Sequence, residues 1–194
     1  MTGKSLSIYD TTLRDGAQTV GISLSIQDKL NISRILDSLK IDYIEGGWPG
    51  SNPKDEQYFR EVRKLDIAHS KIAAFGSTRR KGYSCHDDQI VQALVNSGAD
   101  VITIVAKTWD FQVTKALNMN PDENLIIISD TVSYLKEKGF TVFLDGEHFY
   151  DGYKDNSEYA LECLEKASDA GADMLVLCDT NGGTLPDEAF EITS

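Results

Sequence analysis

Six short runs rich in β-branched and apolar residues alternate with amphipathic stretches along the 194-residue chain, and no other feature constrains its fold as strongly. The runs lie near Leu6–Asp10, Asp42–Glu45, Lys71–Phe75, Asp100–Val105, Thr141–Asp145 and Asp173–Cys178. Such alternation is the signature of a parallel sheet built from βαβ units. Helix punctuation supports the register. Ser25-Ile-Gln-Asp28 reads as a capping box, in which the Ser hydroxyl and the acid three residues on satisfy free amides at a helix start. The helix that follows is expected to turn Leu30, Ile35, Leu36 and Leu39 inward. Asn52-Pro53 and Asn120-Pro121 pair an Asn cap with a proline at the first helical position, followed by Asp55 or Glu123. Gly139 and Gly171 close helices ahead of strands. No linker rich in Pro, Gly or Ser divides the units, so residues 1–194 read as part of one domain.

Two architectures accept this pattern. A (β/α)8 barrel takes about 250 residues, and six units ending just inside a sixth helix would leave strands seven and eight, with any linker or regulatory domain, outside the chain. A doubly wound open sheet takes six strands without remainder, so counting alone slightly favours it. The fingerprints that accompany such sheets are absent: there is neither G-x-G-x-x-G after the first strand nor a G-x-x-x-x-G-K-[ST] loop.

Composition narrows the function classes. A net charge of −12 argues against a nucleic-acid or anionic-membrane surface, and an anionic small substrate would need a local basic site. Cys85, Cys163 and Cys178 form no CxxC pair and are odd in number, which argues against a disulfide framework or a cysteine-rich zinc site. Nothing at the N-terminus resembles a signal peptide and no apolar run reaches the ~20 residues of a membrane helix, so a soluble protein of the reducing cytoplasm is expected.

Polar and charged residues recur where each run ends. Arg14, Asp15 and Gln18 follow the first; Glu45 ends the second; Ser77 to Arg80 follow the third; Lys107, Glu147-His148 and Asp179-Thr180-Asn181 complete the series. Ligands bind at that edge of parallel α/β folds, so the convergence describes one site. Arg14 offers fixed donors for a carboxylate or enolate oxygen, and Asp15 a hard oxygen for a divalent metal; the competing reading is an Arg–Asp pair that locks a turn. Glu45 precedes Gly46-Gly47-Trp48-Pro49-Gly50, whose glycines would admit a substrate close to the backbone. Glu147 and His148 are both acid–base candidates, and Glu147 is favoured because it shares a strand face with Asp145. Arg79-Arg80-Lys81 is either an anion-docking cluster or a solvated loop. His69 and His86 read as surface residues, and Cys178 as a small hydrophobe rather than a nucleophile.

Taken together, these segments resemble the metal-dependent isopropylmalate, homocitrate and citramalate synthases and hydroxymethylglutaryl-CoA lyase, a family of (β/α)8 TIM barrels. Thr12-Leu-Arg-Asp-Gly16 with Gln18 matches the family's first-strand signature. Ile44–Asp55, Ala74–Arg80, Glu147–Tyr153 and Leu177–Pro186 are most similar to its citramalate synthase branch. The fold implied is a TIM barrel, here its first six βα units. The activity implied is a Claisen-type condensation of acetyl-CoA with a 2-oxo acid, pyruvate in that branch, within leucine or isoleucine biosynthesis. Carried onto matching positions, Arg14 polarises the acceptor carbonyl, Asp15 holds a divalent metal (Mg2+, Mn2+ or Zn2+), Glu147 activates acetyl-CoA, and Thr180 contacts the acceptor carboxylate. Glu45 and Gln18 complete the substrate pocket.

The departures carry their own expectations. The family draws two further metal ligands from a His-x-His motif on its seventh strand, and none occurs here. Gln112 stands where the branch often has His, and Val105-Ala-Lys-Thr108 replaces its usual Phe-Gly-Lys-Ser. The 194 residues are therefore expected to be inactive alone. Alternatives are a carbon–carbon lyase of the same family, or a non-catalytic module whose sheet is completed by a second chain; a homodimer or higher oligomer is expected.

Overall fold

A computed structural model describes residues 6–194. Its strands are β1 (Tyr9–Asp10), β2 (Tyr43–Gly47), β3 (Lys71–Ser77), β4 (Val101–Lys107), β5 (Thr141–Glu147) and β6 (Met174–Leu177). They pair in parallel in the order of the chain, β1 to β6. A doubly wound sheet reverses its order midway, so this sequential order excludes it. The sheet is also strongly curled. A flat sheet would hold β1 and β5 four spacings apart, about 19 Å; the Tyr9 and Phe143 rings lie 5.9 Å apart. The Tyr9 hydroxyl reaches Thr103 Oγ1 on β4 at 2.7 Å. Six βα units of a barrel thus form an arc, and among the described residues β1 and β6 do not meet.

Helices α1 (Ile26–Ser38), α2 (Pro53–Val62), α3 (Gln89–Val95), α5 (Pro121–Glu137), α7 (Ser157–Asp169) and α8 (Pro186–Thr193) follow the six strands in turn. Two short helices, α4 (Asp110–Lys115) and α6 (Phe149–Asp155), are inserted where β4 and β5 end. The caps are those the sequence predicts. Ser25 and Asp28 form both bonds of a capping box, Asn52 Oδ1 accepts from Asp55 N at 2.8 Å, and Asn120 Oδ1 from Asp122 N at 3.0 Å. Gly139 and Gly171 take φ of 86° and 97°, the left-handed conformation that ends a helix.

Strand alternation divides the apolar residues between two layers. Ile44, Ile72, Ile102, Ile104, Val142 and Leu144 face the helices in the main core, each burial worth about 1.5–3 kcal/mol. Ala73, Val101 and Phe143, with Tyr9 and Tyr43, fill the concave face.

Two expectations fail at the β1 end. Leu30 is buried and Leu36 packs on the core as expected, but Ile35 and Leu39 are 57% and 66% exposed, and α1 buries Lys29 and Ser33 as well. Among the described residues the helix packed most closely on α1 is α2, and the apolar stripe of α1 is wider than that neighbour covers. The first strand is also shorter than its apolar run, because Leu6 and Ile8 are exposed ahead of Tyr9. Among the described residues no helix is long and apolar enough to cross a membrane.

Candidate active site

Along the concave face β2, β4 and β5 change character toward their carboxyl ends. β4 runs Val101, Thr103, Val105, Lys107; β5 runs Thr141, Phe143, Asp145, Glu147; β2 runs Tyr43, Glu45. Register aligns these changes, with Val105 beside Asp145 and Lys107 beside Glu147. An apolar floor therefore rises into a ring of charge.

Arg14 stands at the centre of that ring. Leu13, with no exposed surface, anchors the loop after β1, and the amides of Arg14 and Gly16 donate to Thr11 O at 3.1 Å. The Arg14 Nε donates to Glu45 Oε2 at 2.6 Å, its Nη1 to Asp15 Oδ1 at 3.2 Å, and its guanidinium lies 3.8 Å from the centre of the Phe75 ring. Glu45, fully buried, also accepts from the Tyr9 hydroxyl at 2.8 Å. Burial raises the Glu45 carboxyl above its ordinary range, against the lowering pull of Arg14. Burial and the neighbouring Glu45 also raise the Tyr9 phenol, keeping it a neutral donor.

Asp145 is 9% exposed and its carboxyl has no hydrogen-bond partner among the described residues. Burial first, then the charges of Glu45 and Asp15, push it up to about 7, with Arg14 opposing. Glu147 is ion-paired with Lys107, and Thr108 Oγ1 donates to the Glu147 carbonyl at 3.0 Å, clamping the two strand ends together. Arg14, Gln18, Trp48, Phe75, Lys107 and Glu147 line one cavity of about 520 Å³.

The remaining candidates are distributed unevenly. Thr180 follows β6 with an exposed side chain, and its hydroxyl accepts from the backbone amide of His148 at 2.9 Å. His148 itself points its Nδ1 to Asp151 at 3.0 Å, with a left-handed φ of 55°. Arg79, Arg80 and Lys81 edge the cavity, but each is ion-paired, with Asp130, Asp88 and Glu123. His69 and His86 are exposed. Cys178 lies half-buried, and burial pushes its thiol up to about 12, far from a nucleophile.

The glycines after Glu45 correct an expectation. A Cβ on Gly46 would stand 2.2 Å from Tyr58 Cε1, and one on Gly47 2.5 Å from Asp55 Cγ. Both glycines therefore admit α2 side chains rather than a substrate. Sequence reading also passed over Tyr9, Thr103 and Phe75 as site residues. Thr103 is the detectable one, a hydroxyl in the otherwise apolar run Val101–Ala106.

Asp15, with a side chain 64% exposed, is one hard donor. Among the described residues no three His, Cys, Asp or Glu side chains converge to hold a metal ion, so these residues do not by themselves make a metal centre.

Strand order and curl define the class, an open arc of an α/β barrel with a charged cavity at the carboxyl edge of its sheet. Residues 5–194 match the HMGL-like family, and the chain belongs to that family. It is 52% identical over 190 residues to the (R)-citramalate synthase of Sulfolobus acidocaldarius, covering 98% of this chain and 36% of that protein. It is 54% identical over 183 residues to the (R)-citramalate synthase of Streptomyces coelicolor, covering 94% and 34%. The chain thus spans about a third of the length of these relatives. Among solved structures it resembles hydroxymethylglutaryl-CoA lyase from Pseudomonas aeruginosa, with a TM-score of 0.76 at 18% identity, over 98% of this chain and 63% of that one. That likeness is one of fold.

Proposed function

We propose that this chain forms the first six βα units of a catalytic barrel of the (R)-citramalate synthase type, which joins the methyl carbon of acetyl-CoA to the ketone of pyruvate. The observation that carries the reading is one cavity holding both Arg14 and the Lys107–Glu147 pair, in a chain more than half identical to a named (R)-citramalate synthase. Arg14 spends Nε on Glu45 and Nη1 on Asp15, and among the described residues Nη2 has no partner. That donor is available to an oxygen of the 2-oxo acid. Glu45 and Phe75 hold the guanidinium from its edge and its face, so little orientation is lost on binding.

Glu147 acts as the base that removes a methyl proton of the thioester, and Lys107 keeps a positive charge beside it. The carbanion's electron pair forms the new bond to the ketone carbon, whose oxygen takes the negative charge next to Arg14. Thioester hydrolysis then consumes one water and releases the thiol. Gln18 borders the cavity, and Thr180, which follows β6 outside the cavity lining, is the contact for the acceptor carboxylate. A divalent cation, Mg2+, Mn2+ or Zn2+, supplies Lewis acidity at the ketone when bound, and Asp15 is the ligand this chain contributes. Since no three ligands converge among the described residues, they are expected to bind substrates and exchange the acetyl-CoA methyl protons, with little or no condensation.

A second reading completes the sheet with another copy of the chain. It is favoured by apolar side chains exposed toward the two ends of the arc, Leu6 and Ile8 before β1, Met174 in β6 and Phe190 in α8. Sedimentation of the full chain tests it: a monomer at high concentration removes this reading.

Calorimetric titration with pyruvate tests the main one. Binding by the unmutated chain, weakened about tenfold or more in Arg14→Ala, supports it. Equal affinity in both proteins overturns it.

A further inference from the structure

Behind the site lies a buried ion pair that the chemistry above leaves unused. Lys29 of α1 is 3% exposed, and its Nζ donates to Asp55 Oδ1 at 2.5 Å and to Gly46 O at 3.0 Å. Asp55 of α2 is 7% exposed, and its second oxygen accepts from Trp48 N at 2.9 Å and Asn52 Nδ2 at 3.0 Å. Two helices thus reach, through opposite charges, into the same three residues after Glu45. β2 breaks register between Glu45 and Gly47 there, and Gly47 takes a φ of 149°. An ammonium and a carboxylate out of water cost more than an apolar pair of the same volume, so this pair is better explained by where it holds the chain than by stability.

We infer that the Lys29–Asp55 pair is a positioning device, which fixes the bulge after Glu45 and the Trp48 side chain and thereby sets the width of the cavity at Arg14. Trp48 packs edge-on to Phe75 at 5.3 Å, and Phe75 carries the Arg14 guanidinium on its face. Trp48, with Arg14 and Gln18, borders both the main cavity and a neighbouring one of about 380 Å³, which Lys29 and Asp55 also line. Its Nε1 is buried with no partner among the described residues, so the ring is held by packing and by its backbone amide on Asp55. Release of that amide frees Trp48 to swing toward the second cavity. The functional consequence rests on reading the main cavity as the 2-oxo acid site; the positioning itself does not.

The test uses the full chain carrying Trp109→Phe, which leaves Trp48 as the single tryptophan. In that background Lys29→Met/Asp55→Asn removes both charges and keeps side-chain volume. The expected result is an unchanged far-UV spectrum with Trp48 at least about twofold more quenchable by acrylamide. Pyruvate affinity falls about fivefold or more, while acetyl-CoA affinity moves less than about twofold. Asp55→Asn alone is the second variant, expected to shift quenching the same way. A folded variant of either kind whose Trp48 quenching matches the parent overturns the inference. Failure of the parent to bind pyruvate counts against the proposed function, and quenching still decides the positioning.

Discussion

Arg14 and Glu45, 31 residues apart, meet through one short bond, Nε to Oε2 at 2.6 Å, with Glu45 wholly removed from solvent. Removal of either partner strands the other. Arg14→Met leaves a buried carboxylate uncompensated and is expected to destabilise the chain by about 3 kcal/mol or more. Arg14→Met/Glu45→Leu is expected to recover most of that loss, as read from urea unfolding midpoints.

Asp145 gives stability a pH dependence. Its carboxyl is raised to about 7 in the fold, whereas the unfolded chain titrates near 4, so between those values the folded state binds more protons. This contribution is fully present below about pH 4 and is lost as pH rises to 7, on the order of a few kcal/mol in total. Glu45, raised in the same direction, adds to the trend. Urea unfolding at pH 5 and pH 8 checks the sign, and Asp145→Asn is expected to flatten the difference.

Gly46 and Gly47 are packing positions. Gly46→Ala drives a Cβ to 2.2 Å from Tyr58, and Gly47→Ala one to 2.5 Å from Asp55 at a φ of 149°. Each is expected to cost about 2–3 kcal/mol. Gly82→Ala, at a φ of 81° with open space around it, is expected to cost about 1 kcal/mol. Thermal melts of the three variants give the order.

Glu147→Gln keeps the shape of the site and removes its base. Exchange of the acetyl-CoA methyl protons in D2O, followed by NMR, is expected to fall about 100-fold or more relative to the parent chain. Thr108→Val, which removes a hydroxyl from the Glu147 carbonyl but not the base, is expected to lower it far less.

What the sequence made legible was local. Ser25, Asn52 and Asn120 cap helices through groups two or three residues away, and alternation within seven residues of β4 or β5 decides which side chains face inward. Convergence of Arg14, Glu45 and Glu147 was readable because parallel strands deliver their ends to one edge. Ile35 misled because helical spacing marks an apolar stripe without saying whether a neighbour exists to cover it. Gly46 and Gly47 misled because a glycine announces a close approach without naming what approaches, here Tyr58 and Asp55. Tyr9 with Thr103, 94 residues apart, depends on curl, and curl leaves no mark in a strand count.

The most direct measurement is a crystal structure of the full chain grown with pyruvate. The 2-oxo acid is expected in the cavity at the β1 end, with an oxygen within hydrogen-bonding distance of the Arg14 guanidinium and Glu147 facing the space beside its ketone. Pyruvate bound away from Arg14, or a cavity at Arg14 that stays empty at saturating pyruvate, would contradict the proposed site.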